Sequence, residues 1–129
     1  MKANEMNGLA LAYLGDAVIE LIARERALES GILDVGKLND IVRGFVKASA
    51  QSSAVARIEA LLTEDEIAVY KRGRNAHGTS VPRSATATEY RRATGLEALF
   101  ASLYISGNRG RIYELFEAAY GAASKKDTE

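Results

Sequence analysis

The sequence predicts an all-α fold, a single helical bundle spanning residues 1–129 with its core over about 8–123. Three observations carry this. Proline occurs once in 129 residues while Ala, Leu, Ile and Glu abound, so little interrupts a helix and much favours one. No segment shows the sustained two-residue alternation of a half-buried strand. Two stretches, Thr63-Glu64-Asp65-Glu66 and Thr86-Ala87-Thr88-Glu89, match the capping box, in which a Thr side chain and a Glu three residues on satisfy each other's free backbone N–H groups.

The first helix is expected from about Gly8 to Glu29, stopped before Gly31, and the second from Gly36 to Phe45. The third runs from Lys47 to Leu62 and ends at the Thr63 cap. The fourth, Glu64 to Arg72, opens with acids that suit the positive end of a helix dipole. Residues 73–87, GRNAHGTSVPRSATA, hold two glycines and the only proline and read as one long loop, a common place for function. The fifth helix spans Ala87 to Ser106 before Gly107. The sixth spans Arg109 to Ala123 and leaves a frayed tail at 124–129.

Composition removes several functions. The absence of cysteine excludes a disulfide framework, a thiolate nucleophile and a Cys-based zinc site. A single histidine, His77, excludes a His-rich metal site and argues against a Ser-His-Asp triad. No apolar run reaches the roughly 18 residues of a membrane span, and MKANEMNGLA lacks a signal peptide's apolar stretch and cleavage site. The expectation is a soluble cytoplasmic protein. The net charge is zero, yet it is segregated. Residues 1–70 carry seven basic and eleven acidic side chains, whereas residues 71–92 carry Lys71, Arg72, Arg74, Arg83, Arg91 and Arg92 against Glu89 alone. Phosphate binding follows this local potential rather than the sum.

Two acids fall where acids are costly. In the first helix Leu11, Leu14, Val18, Leu21 and Ile22 form one apolar stripe. Asp16 lies nearly opposite, among Leu9, Ala12, Tyr13, Ile19 and Ala23, with Glu20 one turn on. Such a helix is expected to be buried on both sides, and an unpaired charge there needs a cation, a donor or a metal. Gly15 costs roughly 1 kcal/mol in a helix interior, which implies close approach of another helix. Glu97 repeats the pattern in the fifth helix beside Gly95, sharing a face with Tyr90, Ala93, Thr94, Phe100, Ala101 and Tyr104. If the two helices are antiparallel neighbours, Asp16 and Glu97 converge into a hard-oxygen site suited to Mg²⁺ or Mn²⁺. Pairing of either acid with Arg91 or Arg92, or with a backbone group, stays open at this stage.

The basic block has a plain reading as a solvated helix end. Its continuation through Asn75, His77, Thr79 and Ser80 adds donors suited to phosphates and 2′-hydroxyls. Aromatics are few and helical, so duplex backbone fits better than base stacking. Glu20 either joins Asp16 or is solvated. Arg24 and Arg26 are expected in helix-surface pairs with Glu20 and Glu29-type neighbours, and Tyr113, Phe116 and Tyr120 in the core.

Leu11-Ala-Tyr-Leu-Gly-Asp16-Ala-Val18 resembles the signature helix of ribonuclease III catalytic domains, and Gly95-Leu-Glu97-Ala-Leu-Phe100 resembles that family's second acidic motif. Arg72-Gly-Arg74-Asn75-Ala76, Val81-Pro82-Arg83 and Tyr90-Arg91-Arg92-Ala93-Thr94 are similar to the pattern of the Mini-III ribonucleases, bare catalytic domains without a double-stranded-RNA-binding domain. The resemblance covers about residues 8–120. It implies an RNase III-like helical bundle and a Mg²⁺-dependent double-stranded-RNA endoribonuclease, with Mn²⁺ able to substitute. Asp16 and Glu97 would be its catalytic, metal-binding acids. Lys71, Arg72, Arg74, Asn75, Arg83, Arg91 and Arg92 would contact RNA. It further implies a homodimer with Tyr13 at the interface, trimming of 23S ribosomal RNA precursor ends with 5′-phosphate products, and room for a ribosomal-protein helper. Two acids of larger family members fall on Ala12 and Thr94 here, which implies fewer direct ligands and more water around the metal. The rivals are a catalytically silent RNA-binding or ribonucleoprotein scaffold dimer, which those losses motivate, and a helical dimer without RNA function.

Overall fold

The computed structural model describes residues 1–76 and 85–126, the side chains of 122–126 excepted. Within these residues the structure is helical and has no strand, as predicted: α1 (Gly8–Glu29), α2 (Val35–Val46), α3 (Ala48–Ile58), α4 (Glu64–Arg74), α5 (Ala87–Ile105) and α6 (Arg109–Lys126). Short 3-10 turns at Ala3–Glu5 and Glu59–Leu61 complete it. The first of these was not expected. The second replaces the last turn of the expected third helix, because Ile58 relaxes to φ −111° and breaks the α-helical path. α4 runs on to Arg74, and α6 runs to Lys126, past the expected end at Ala123; residues 127–129 lie outside the described residues.

Local hydrogen bonding explains the boundaries. Thr63 and Thr86 both close full capping boxes, with Glu66 and Glu89 reaching back to the Thr N–H at 2.8 and 3.1 Å. Asn7 and Asp34 cap α1 and α2 by accepting from Ala10 N and Lys37 N. Gly31 and Gly107 follow α1 and α5 at φ +87° and +78°, the left-handed turn that glycine enters without a side-chain clash.

α5 is the axis of the bundle and packs against α1, α3, α4 and α6. Its Leu96, Leu99, Phe100 and Leu103 meet Ile19 and Ile22 of α1, Val55 and Ile58 of α3, and Leu115 and Phe116 of α6 in one core. Phe45, Phe116 and Tyr120 form a ring cluster with centroids 4.7–5.7 Å apart, as favourable offset and edge geometries require. Tyr113 departs from the core role expected of it: it is exposed and its hydroxyl donates to Glu25. α1 is less symmetric than expected. Leu11, Val18, Ile19 and Ile22 are buried, but Leu21 is exposed and Leu14 only half-buried.

A clamp that the sequence pattern does not reveal ties α6 to α4. Arg111 donates to both oxygens of Glu66 at 2.8 and 2.9 Å, to Glu114, and to the carbonyl of Leu61. The Arg111 hydrogen bond is the main reason the Glu66 carboxyl sits below its usual range, with burial opposing it. The clamp's contribution is therefore present above the ordinary carboxylate range and is lost as pH falls through the lowered value. Replacing Arg111 with Met should cost about 2 kcal/mol of stability at neutral pH, read by urea denaturation, with the gap to the parent protein shrinking in acid.

Candidate active site

The site is built where α1 crosses α5. Gly15 faces Glu97 so closely that a methyl group in its place would overlap the Glu97 carbonyl and come within 2.9 Å of its Cα. The close approach expected of Gly15 is thus met, and the next residue, Asp16, is carried to the Glu97 side chain. The two carboxyls face each other closely enough for Asp16 to raise the proton affinity of Glu97. Glu97 is half-buried and Asp16 exposed, so the pair opens to solvent on the Asp16 side.

Neither acid is neutralised by a base among the described residues. Among the described residues, no Lys or Arg forms an ion pair with Asp16 or Glu97. Arg92 pairs instead with Glu59 at 3.1 Å, and Glu20 is taken by Arg24 at 2.5 Å rather than joining Asp16. The Glu97 carboxyl is pushed up to about 8, first by burial, then by the charge and hydrogen bond of Asp16, while a hydrogen bond from Gln51 pulls it down. Alone at neutral pH the pair therefore holds a proton, in the place a cation would take. Among the described residues no three His, Asp or Glu side chains converge. Ala12 and Thr94, one turn from the two acids, are buried, and the Thr94 hydroxyl donates to the Tyr90 carbonyl at 2.9 Å.

The basic residues divide into two groups. The Arg72 guanidinium turns inward and donates to the carbonyl of Met6, fastening the N-terminal turn to α4. Arg92 is held by Glu59, and its charge acts on the nearby Tyr70 hydroxyl. Arg74 lies over the Tyr70 ring at 5.7 Å and donates to Asn75. Tyr70 itself is buried, its ring against Gly95, where any side chain would collide with it. Lys71, Asn75 and Arg91 are exposed. Arg83 and His77 lie outside the described residues, as does most of the expected loop 73–87. Tyr13 is 86% exposed, and with Ala17, Leu21 and Leu28 forms an apolar stripe along the outer face of α1. Arg26 reaches across to Glu117 of α6 at 2.7 Å instead of pairing along its own helix.

Sequence reasoning missed Gln51, which is buried in α3 with its side chain against the Glu97 carboxyl. The available signal was a lone amide among Ala48, Ala50, Ala54 and Val55. It missed Tyr70 as well, since an aromatic at a helix position normally reads as core.

The model of the ribonuclease III domain matches residues 9–108 of the chain. Mini-ribonuclease 3 of Symbiobacterium thermophilum is 44% identical over 111 residues, covering 86% of this chain and 85% of that protein. Mini-ribonuclease 3 of Enterococcus faecalis is 39% identical over 113 residues, 86% of each. A crystal structure of a protein from Fusobacterium nucleatum superposes with a TM-score of 0.80 at 36% identity, covering 86% of this chain and 90% of that one.

Two outcomes follow from the geometry. Gly15→Ala should cost about 3 kcal/mol or more, because backbone rather than a movable side chain opposes the methyl group; chemical denaturation measures it. Glu97 binds its proton more tightly folded than unfolded, so its share of stability is intact below the ordinary carboxylate value of 4.5 and is lost as pH rises through about 8. Melting curves in EDTA should therefore show Glu97→Gln gaining a few degrees relative to the parent protein between pH 5 and pH 9.

Proposed function

Because this chain belongs to the ribonuclease III family, we infer that it is a divalent-cation-dependent endoribonuclease of double-stranded RNA. The observation that carries the reading is the contact between Asp16 and Glu97, two carboxylates without a basic partner among the described residues. Such a donor set fits a hard cation: oxygen ligands only, a partly solvated face, and too few protein ligands to exclude water. Asp16 and Glu97 would hold Mg²⁺, or Mn²⁺ in its place. A bound cation supplies a nucleophilic water and neutralises charge on a transferring phosphoryl group. Hydrolysis joins the water oxygen to phosphorus and breaks the bond to the 3′-oxygen, which takes up a proton. The products are a 5′-phosphate and a 3′-hydroxyl.

The remaining residues bind and orient. Lys71 and Arg91, exposed near the junction of α4 and α5, contact backbone phosphates together with Asn75 and the guanidinium of Arg74, which Tyr70 supports. Arg83 extends this set. Arg72 and Arg92 are engaged by protein partners in the RNA-free protein and shape the surface before they touch RNA. The exposed stripe of Tyr13, Ala17, Leu21 and Leu28 supports a homodimer joined along α1. The resemblance of Arg72–Ala76 and Tyr90–Thr94 to the Mini-III pattern is the ground on which trimming of 23S ribosomal RNA precursors in the cytoplasm, with a ribosomal-protein helper on the substrate, is proposed as its task. Among the described residues no helix is long and apolar enough to cross a membrane.

Asp16→Asn and Glu97→Gln should each lower the cleavage rate of a perfect RNA duplex by at least a hundredfold while leaving duplex binding intact, in gel-based cleavage and filter binding. Lys71→Ala and Arg91→Ala should each reduce the slope of log binding constant against log salt by about one. Full cleavage by either acid variant contradicts the assignment. Salt-sensitive binding without any cleavage by the parent protein favours the silent scaffold, the reading that the two acids missing at Ala12 and Thr94 support.

A further inference from the structure

Gln51 stands midway along α3 and is 1% exposed. Its side chain lies against the Glu97 carboxyl and eases its ionisation, which is the effect of an amide N–H turned toward a carboxylate, since an ionised carboxylate only accepts. The other end of the same amide, Oε1, is buried with no hydrogen-bond partner. It is the one orphaned buried side-chain atom among the described residues. Buried carbonyls are almost always paired, so an orphan marks a place that a water, ion or ligand completes. The two acids cannot complete it when ionised, because they offer no donor. One turn before each acid no further oxygen is offered to the pair, since the Ala12 side chain has none and the Thr94 hydroxyl is turned to its own helix.

We propose that Gln51 is a positioning residue of the acid pair: its amide N–H holds the Glu97 carboxylate toward Asp16, and its Oε1 accepts a hydrogen bond from a water of the divalent cation's hydration shell. The inference rests on the cation-dependent reading above. Its chemistry is that of a hydrated cation. Mg²⁺ surrenders water reluctantly, so a site with two carboxylates retains several water ligands, each with protons to donate. A neutral amide that donates on one side and accepts on the other ties a carboxylate ligand and a water ligand together without adding charge. Residues in this outer position characteristically alter metal affinity or activity ten- to a hundredfold when removed, about that order being expected here. α3 thereby joins α1 and α5 at the site, and the acid pair is set by three helices rather than two.

The test is calorimetric titration of Mn²⁺ into the full-length parent protein, Gln51→Leu, Gln51→Met and Gln51→Glu, with melting curves in EDTA and steady-state cleavage of duplex RNA. Gln51→Leu and Gln51→Met keep the volume and remove the hydrogen bonds. Both should melt within a few degrees of the parent in EDTA, bind Mn²⁺ at least tenfold more weakly, and lose kcat by a similar factor with KM for RNA unchanged. Gln51→Glu restores an acceptor and should bind Mn²⁺ more tightly than Gln51→Leu. Parent-like Mn²⁺ affinity and kcat in the apolar variants would overturn the proposal. So would a loss confined to the EDTA melting temperature, the mark of plain packing. If the parent protein itself neither binds Mn²⁺ nor cuts duplex RNA, the cation-dependent function fails first and the role of Gln51 with it; a competent parent with unaffected variants removes the role of Gln51 alone.

Discussion

The contact between Gly15 on α1 and the backbone of Glu97 on α5 fixes everything chemical in this protein. Helices normally stand apart by the thickness of their side chains, about 8–10 Å between axes. With no side chain at Gly15, α1 settles onto α5 until backbone meets backbone, and the adjacent Asp16 has nowhere to go but beside Glu97. Both helices are long and packed into the core along one face or more, so the two carboxylates ride on rigid supports rather than loops. The arrangement is costly: a glycine in a helix interior, a half-buried acid and a repulsive neighbour all oppose folding. The core around α5, with Leu96, Leu99 and Phe100 essentially inaccessible, offsets that cost.

Charge is sorted by the same geometry. The acids at the α1–α5 crossing are left facing each other, while the cations of α4 and α5 are gathered around Tyr70. Its ring rests on Gly95, Arg74 lies over its face, and the charge of Arg92 acts on its hydroxyl. A neutral chain thus presents an acidic point beside a basic field, the combination a polyanion-cleaving metal site requires: the acids concentrate cations and the bases concentrate phosphates. Glycines at the α1–α5 and α4–α5 crossings set the spacing between the two.

Much of this was legible in the sequence because it is written in local patterns. Thr63 and Thr86 announce their helices through capping boxes that involve residues three apart, and Gly31 and Gly107 end theirs through backbone conformation. Asp16 and Glu97 stand out because an acid on an apolar helix is costly wherever the helix packs, and Gly15 because its flaw needs a use. What stayed hidden depends on partners far along the chain. Arg72 reads as a surface cation until the carbonyl of Met6 is brought to it. Arg111 reads as one more charged residue of α6 until Glu66 and Leu61 arrive beside it. Gln51 gives no local sign that its amide will meet Glu97. Leu21 and Tyr113 follow the apolar spacing yet face outward, because periodicity tells which residues share a face and not what covers it.

The most direct measurement is diffraction from crystals grown with Mn²⁺, recorded where manganese scatters anomalously. The expected result is an anomalous peak between the carboxylates of Asp16 and Glu97, coordinated by both and otherwise by water. A manganese bound elsewhere on the protein, or an acid pair that stays protonated and closed at saturating Mn²⁺ above pH 8, would contradict the claim that the α1–α5 crossing builds a cation site.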